Sequence, residues 1–110
     1  MRFDGTNFYL SSYTGGTISS NTTLLTITSS SGNSAVFDYF VSDGTNKRAG
    51  TVMTAWDGAL TVYTEYSTPD IGSSTAGISF TTSTDGTYVY LNAVVATGTW
   101  TVKVGSRIMF

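Results

Sequence analysis

The run Thr87-Tyr-Val-Tyr-Leu-Asn-Ala-Val-Val-Ala96, followed after Thr97-Gly98 by Thr99-Trp-Thr-Val-Lys-Val-Gly-Ser-Arg-Ile-Met-Phe110, decides the fold. Both halves are rich in β-branched and aromatic residues and are separated by a turn signal, so they read as two successive strands. In the second, Trp100, Val102 and Val104 share one face and Thr99, Thr101 and Lys103 the other, which gives a core side and a wet side. The first is apolar on both faces. Only one face of each sheet in a sandwich meets the chain's own core, so this strand predicts a partner on its second face.

Working outward, Asp-Gly recurs at Asp4-Gly5, Asp43-Gly44, Asp57-Gly58 and Asp85-Gly86, each time beside β-formers. Asp bonds the backbone through its side chain and Gly takes the left-handed position without strain, which makes the pair a hairpin signal. With further breaks at Gly15-Gly16, Ser29 to Asn33, Pro69 to Gly72 and Thr97-Gly98, the chain divides into strands. They are predicted over 7–13, 22–28, 34–42, 47–56, 59–67, 78–84, 87–96 and 99–108. No window holds apolar residues at helical spacing without a breaker. The expected fold is all-β, with about eight antiparallel strands in a β-sandwich or jelly roll forming one domain over residues 1–110.

The segment Ala35-Val-Phe-Asp-Tyr-Phe-Val41 repeats the two-faced pattern, setting Val36 and Phe40 against Ala35, Phe37, Tyr39 and Val41. The end Arg107-Ile108-Met109-Phe110 is apolar where chain ends are usually polar, so it either closes the end of this chain's own barrel or docks on a neighbour. Val36, Phe40, Tyr88, Tyr90, Val94, Ile108, Met109 and Phe110 are therefore the expected contact residues for a second copy of the chain.

Thr and Ser supply 36 of 110 residues and charged residues 12, so solubility rests on hydroxyls. A net charge of −2 with scattered Lys and Arg provides no row of cations for phosphates, and nucleic acid is not an expected partner. The absence of Cys removes disulfides and thiolate metal sites. No segment has the roughly 20 apolar residues of a membrane span, and the start Met1-Arg-Phe-Asp-Gly-Thr6 lacks the run of a secretion signal. The chain is expected to act where it is made, or in a particle assembled there.

With neither His nor Cys, the commonest proton-transfer groups and nucleophiles are missing. Asp38, Glu65 and Asp70 are the carboxylates outside Asp-Gly turns and the candidates for a glycosidase-like pair, but their scatter favours structural roles. No Ser lies in Gly-x-Ser-x-Gly, and neither Asp43 nor Asp57 heads a calcium loop. The chain is expected to be no enzyme and to hold no cofactor or metal. Trp56, Tyr63 and Tyr66 form the alternative ligand surface, since rings with polar tips suit sugar faces.

The segments Phe40-Val-Ser-Asp-Gly-Thr-Asn-Lys-Arg-Ala-Gly-Thr51, Ala55-Trp-Asp-Gly58 and Gly98-Thr-Trp-Thr-Val-Lys-Val-Gly-Ser-Arg-Ile108 resemble small β-rich modules of tailed-bacteriophage virion proteins. The resemblance covers roughly residues 34–110 and implies a structural virion component, commonly a homotrimer, without catalytic residues to carry over. A chain starting at Met1 without a fibrous shaft favours a capsid cement or decoration protein seated on the major capsid protein or another virion protein. A tail-fibre module that binds a receptor or carbohydrate is the alternative. Either would be assembled into the virion in the host cytoplasm.

Overall fold

Alternation sorts the side chains of each strand into an inner and an outer set, and the turns fix which set is which. The structure, a computed structural model, describes residues 8–13 and 17–109. In chain order these form β1 (Phe8–Tyr13), β2 (Thr17–Ile18), β3 (Thr22–Thr28), a 3-10 turn at Ser29–Ser31, β4 (Ser34–Ser42), β5 (Lys47–Asp57), β6 (Leu60–Ser67), β7 (Ile78–Thr84), β8 (Tyr88–Val95) and β9 (Trp100–Met109). The all-β expectation holds, with eight full strands plus the two-residue β2 among the described residues.

A large sheet has the order β1-β9-β4-β5-β6, with β2 beside β9, and a smaller one the order β3-β8-β7. All pairings are antiparallel. The two sheets face each other across Phe37, Val41 and Val52 on one side and Ile78, Val89 and Leu91 on the other, all but sealed from solvent. Each such side chain contributes roughly 1.5–3 kcal/mol by leaving water. Trp100, Val102 and Val104 extend this core as expected, and the same period carries Ser106 and Ile108 into it. Ile108 is 2% exposed, which corrects its expected place at an outer contact.

In β3 the register shifts between Thr23 and Leu25. This bulge lets the successive residues Leu24 and Leu25 both pack toward the core, where strict alternation would expose one of them. The Asp-Gly turns form for local reasons. Asp43 accepts from the backbone N–H groups of Thr45 at 3.0 Å and Asn46 at 2.7 Å, and Asp85 from those of Thr87 at 2.9 Å and Tyr88 at 2.8 Å. These bonds, chiefly from Asn46 and Tyr88, hold both carboxyls below their usual range.

Candidate functional site

The β5–β6 hairpin sets the character of the large sheet's outer face. Only Gly58 and Ala59 separate the paired residues Asp57 and Leu60, and Gly58 takes a positive φ of 60° there. Because Val52, Thr54 and Trp56 point inward, this tight turn sends their partners Glu65, Tyr63 and Thr61 inward too. Leu60, Val62 and Tyr66 are left outside, 75%, 70% and 63% exposed.

The inward polar groups of β6 are used. Tyr39 donates to Glu65 and accepts from Arg48 Nε at 3.0 Å, while its ring packs against Phe80 at a centroid distance of 4.2 Å. Arg48 also forms an ion pair with Glu65 at 3.7 Å and donates to Thr75 Oγ1 at 2.8 Å and to the Ile78 carbonyl at 3.1 Å. Thr75 in turn donates to Asp70 through its hydroxyl and its backbone N–H, which keeps the Asp70 carboxyl below its usual range. Burial, and next the bond to Glu65, pushes the Tyr39 phenol up to about 12. Gly50 is required beneath this cluster, since a Cβ there would lie 2.6 Å from Tyr39 Oη and 2.5 Å from the Tyr66 carbonyl oxygen. Thr54 ties the strands further on, bonded to Thr61 at 3.0 Å and to Thr82 of β7 at 3.2 Å.

Outside, the same register builds rows of side chains across the strands. One row runs Tyr66, Thr51, Asp38, Gly105 across β6, β5, β4 and β9. Its members Tyr66, Thr51 and Asp38 line a shallow groove of about 450 Å³ that is bounded further by Tyr39, Ala49, Gly50, Ser67 and Thr68, and Gly105 continues the row just past it. Thr51 donates to Asp38 at 3.0 Å and Arg107 pairs with Asp38 at 3.3 Å, so the carboxylate is held at the end of the groove opposite Tyr66. A neighbouring region of the face is apolar, with Leu60, Val62, Ala55, Met53 and Met109 exposed.

The expected contact residues do not form one surface. Val36, Phe40 and Met109 lie on the outer face of the large sheet, whereas Tyr88, Tyr90 and Val94 lie on that of the small sheet, on the opposite side of the molecule. Phe110 is outside the described residues. The alternative ligand surface also divides. Trp56 points inward, is 8% exposed and donates through Nε1 to the Ser29 carbonyl at 2.9 Å, so it belongs to the core. Tyr63 stands on the inner side of the edge strand, and Tyr66 alone reaches the groove. Asp38, Glu65 and Asp70 do not converge, the first being outside and the other two joined through Arg48 and Thr75. Arg48, Thr75, Leu60, Val62 and Gly105 were not singled out by sequence reasoning. The signal for Arg48 was its in-phase spacing with Val52 and Trp56, and for Gly105 a break in the outward row Thr101, Lys103, Arg107.

A two-sheet β fold of this kind occurs within bacteriophage tailspike proteins. The whole chain matches part of the tailspike protein gp49 from Acinetobacter baumannii bacteriophage Fri1, a capsular polysaccharide depolymerase, with a TM-score of 0.53 and 14% identity. A match to the Acinetobacter baumannii phage AM24 tailspike protein covers 94% of this chain, with a TM-score of 0.48 and 9% identity. The chain spans 19% of the first protein and 25% of the second. No protein-family model matches the chain, and no curated protein matches it in sequence. The expectation of a protein that is no enzyme is overturned by the gp49 match, because the fold recurs inside a depolymerase. Among the described residues no helix is long and apolar enough to cross a membrane.

Proposed function

We propose that the chain is a receptor-binding module of a bacteriophage tail spike or fibre, recognising a surface polysaccharide through the groove between Tyr66 and Asp38. The observation carrying this reading is the match of the whole chain to part of a tailspike described as a capsular polysaccharide depolymerase. The groove supports it with chemistry suited to sugars. An exposed tyrosine ring offers a stacking face, and a fixed carboxylate with the hydroxyls of Thr51, Ser67 and Thr68 offers acceptors and donors for sugar hydroxyls. Tyr66 and Asp38 sit two strands apart, about 10 Å, a span suited to a short oligosaccharide.

Binding to a glycan array, with loss of signal in Tyr66→Ala at unchanged thermal stability, is the expected result. Equal binding by wild type and variant would remove the groove from the reading.

The exposed row of Met53, Leu60, Val62 and Met109 favours self-association, with a homotrimer as the proposed assembly. It also supports a second reading, a cement or decoration protein that covers this row with a neighbouring shell subunit. Imaging labelled chains on the virion separates the two. Label at the tail supports the first reading, and label spread over the capsid supports the second.

A further inference from the structure

The groove and the β9 strand beside it differ chemically, and the difference bears on the sugar the groove would hold. At the β6 end stands the Tyr66 ring. Past Asp38, beside the groove, the row continues to Gly105 of β9, where a Cβ would meet nothing within 4 Å. Outward alternation places Lys103 and Arg107 on either side of Gly105. Lys103 is exposed and has no ion pair with the described residues, while the Arg107 side chain is 41% exposed and approaches Asp38 at 3.3 Å.

Charge on this part of the face differs from the rest of the molecule. The chain as a whole carries −2, yet Lys103 and Arg107 flank Gly105 on the outer face beside the groove, where Asp38 is the adjacent carboxylate. Arg48 of β5 turns inward and is consumed by Glu65, Tyr39 and Thr75. Asp38 is already met by Thr51 and Arg107, which leaves Lys103 without an ion pair among the described residues. A bound carboxylate over Gly105 would face an ammonium on one side and a guanidinium on the other, the geometry of charge-assisted recognition.

Building on the reading of the groove as a glycan site, we propose that it selects acidic polysaccharides. One sugar ring stacks on Tyr66, and the carboxylate of a uronic-type sugar farther along the chain seats over Gly105 between Lys103 and Arg107.

The test is an NMR titration of the full chain with trigalacturonate and, separately, with the uncharged galactotriose. Trigalacturonate is expected to shift the amides of Lys103, Gly105 and Arg107 together with those of Tyr66 and Thr51. It should bind about tenfold more tightly than galactotriose, with the advantage shrinking as NaCl rises. Lys103→Gln should remove most of that advantage and leave galactotriose binding unchanged. Gly105→Thr, which raises a side chain beside the groove, should weaken trigalacturonate several-fold without altering the melting temperature. Equal binding of the two sugars, or an acid preference indifferent to Lys103→Gln, overturns the acidic selection and leaves the glycan reading standing. If neither sugar shifts any groove amide at low salt, the glycan reading fails and this inference fails with it.

Discussion

The outer faces of the two sheets draw on a similar Thr-rich composition and solve the same problem differently. On the small sheet Asn92 accepts from Thr23 at 3.1 Å and donates to Ser83 at 3.0 Å, and Tyr90 donates to Asp85 at 2.7 Å. The rings of Tyr88 and Tyr90 lie beside each other, 6.3 Å apart. Side chains on this face bond to one another. On the large sheet Leu60, Val62 and Met109 stand in solvent while the polar residues of β6 are turned into the Arg48 network. A two-faced apolar pattern thus has two outcomes. The outward residues of Tyr88 to Val95 are set among hydroxyl and amide neighbours, whereas those of β6 are apolar and exposed.

The comparison breaks most forcefully at Arg48. Arg48→Ala leaves Glu65 without its cation and Tyr39 without a donor, and should cost about 3 kcal/mol in urea unfolding. Faster hydrogen exchange in β6 should accompany it. A loss under about 0.5 kcal/mol, within the range of an ordinary surface change, would mean that the inward network is not what holds β6 in its orientation.

Tyr39 sharpens the same side through pH. Its folded pKa of about 12 exceeds the ordinary phenol value of 10.0, so the folded state keeps a proton that the unfolded chain has released. Stability from this group is fully present below pH 10 and falls as pH rises toward 12. The fall is on the order of 2 kcal/mol. Comparing urea midpoints of wild type and Tyr39→Phe at pH 8 and at the top of this window isolates the effect, because the other tyrosines titrate in both proteins. Parallel curves would contradict it.

On the small sheet, Asn92→Ala removes one bridging amide and should cost about 1 kcal/mol while the mass in solution stays unchanged. A change of mass would place the partner on this face after all. The smallest effect on folding is expected from the pair Leu60→Thr and Val62→Thr, within about 0.5 kcal/mol at dilute concentration because neither side chain is buried. The same pair should weaken self-association at least tenfold in sedimentation equilibrium. A folding loss near 2 kcal/mol would instead show that these residues pack within the chain.

Strand positions were legible because turn chemistry is local. Thr22–Thr28, Ser34–Ser42 and Ile78–Thr84 follow directly from where Gly, Asp and Ser clusters interrupt β-formers. Trp100, Val102 and Val104 were legible as core by their period, and the same period would have reached Ile108 had the apolar chain end not drawn it outward. The orientation of β6 was not legible. Alternation names two faces without saying which is inner, and here the face richer in apolar residues is the outer one because register, set in the turn, overrides hydrophobicity. Trp56 was misplaced for a related reason, since exposure of an aromatic beside a turn depends on the parity of its strand. The groove escaped altogether, being a row across β6, β5 and β4 whose members lie far apart in sequence.

The turn of Gly58 and Ala59 therefore acts as a parity setting for the molecule's surface. One residue added or removed there would exchange the two sides of β6, burying Leu60, Val62 and Tyr66 and expelling Glu65 from Arg48. Two residues added would lengthen the tip and preserve both faces. Variation in the length of this turn is thus expected in even steps, and an odd step would erase the apolar row and the groove's aromatic end together.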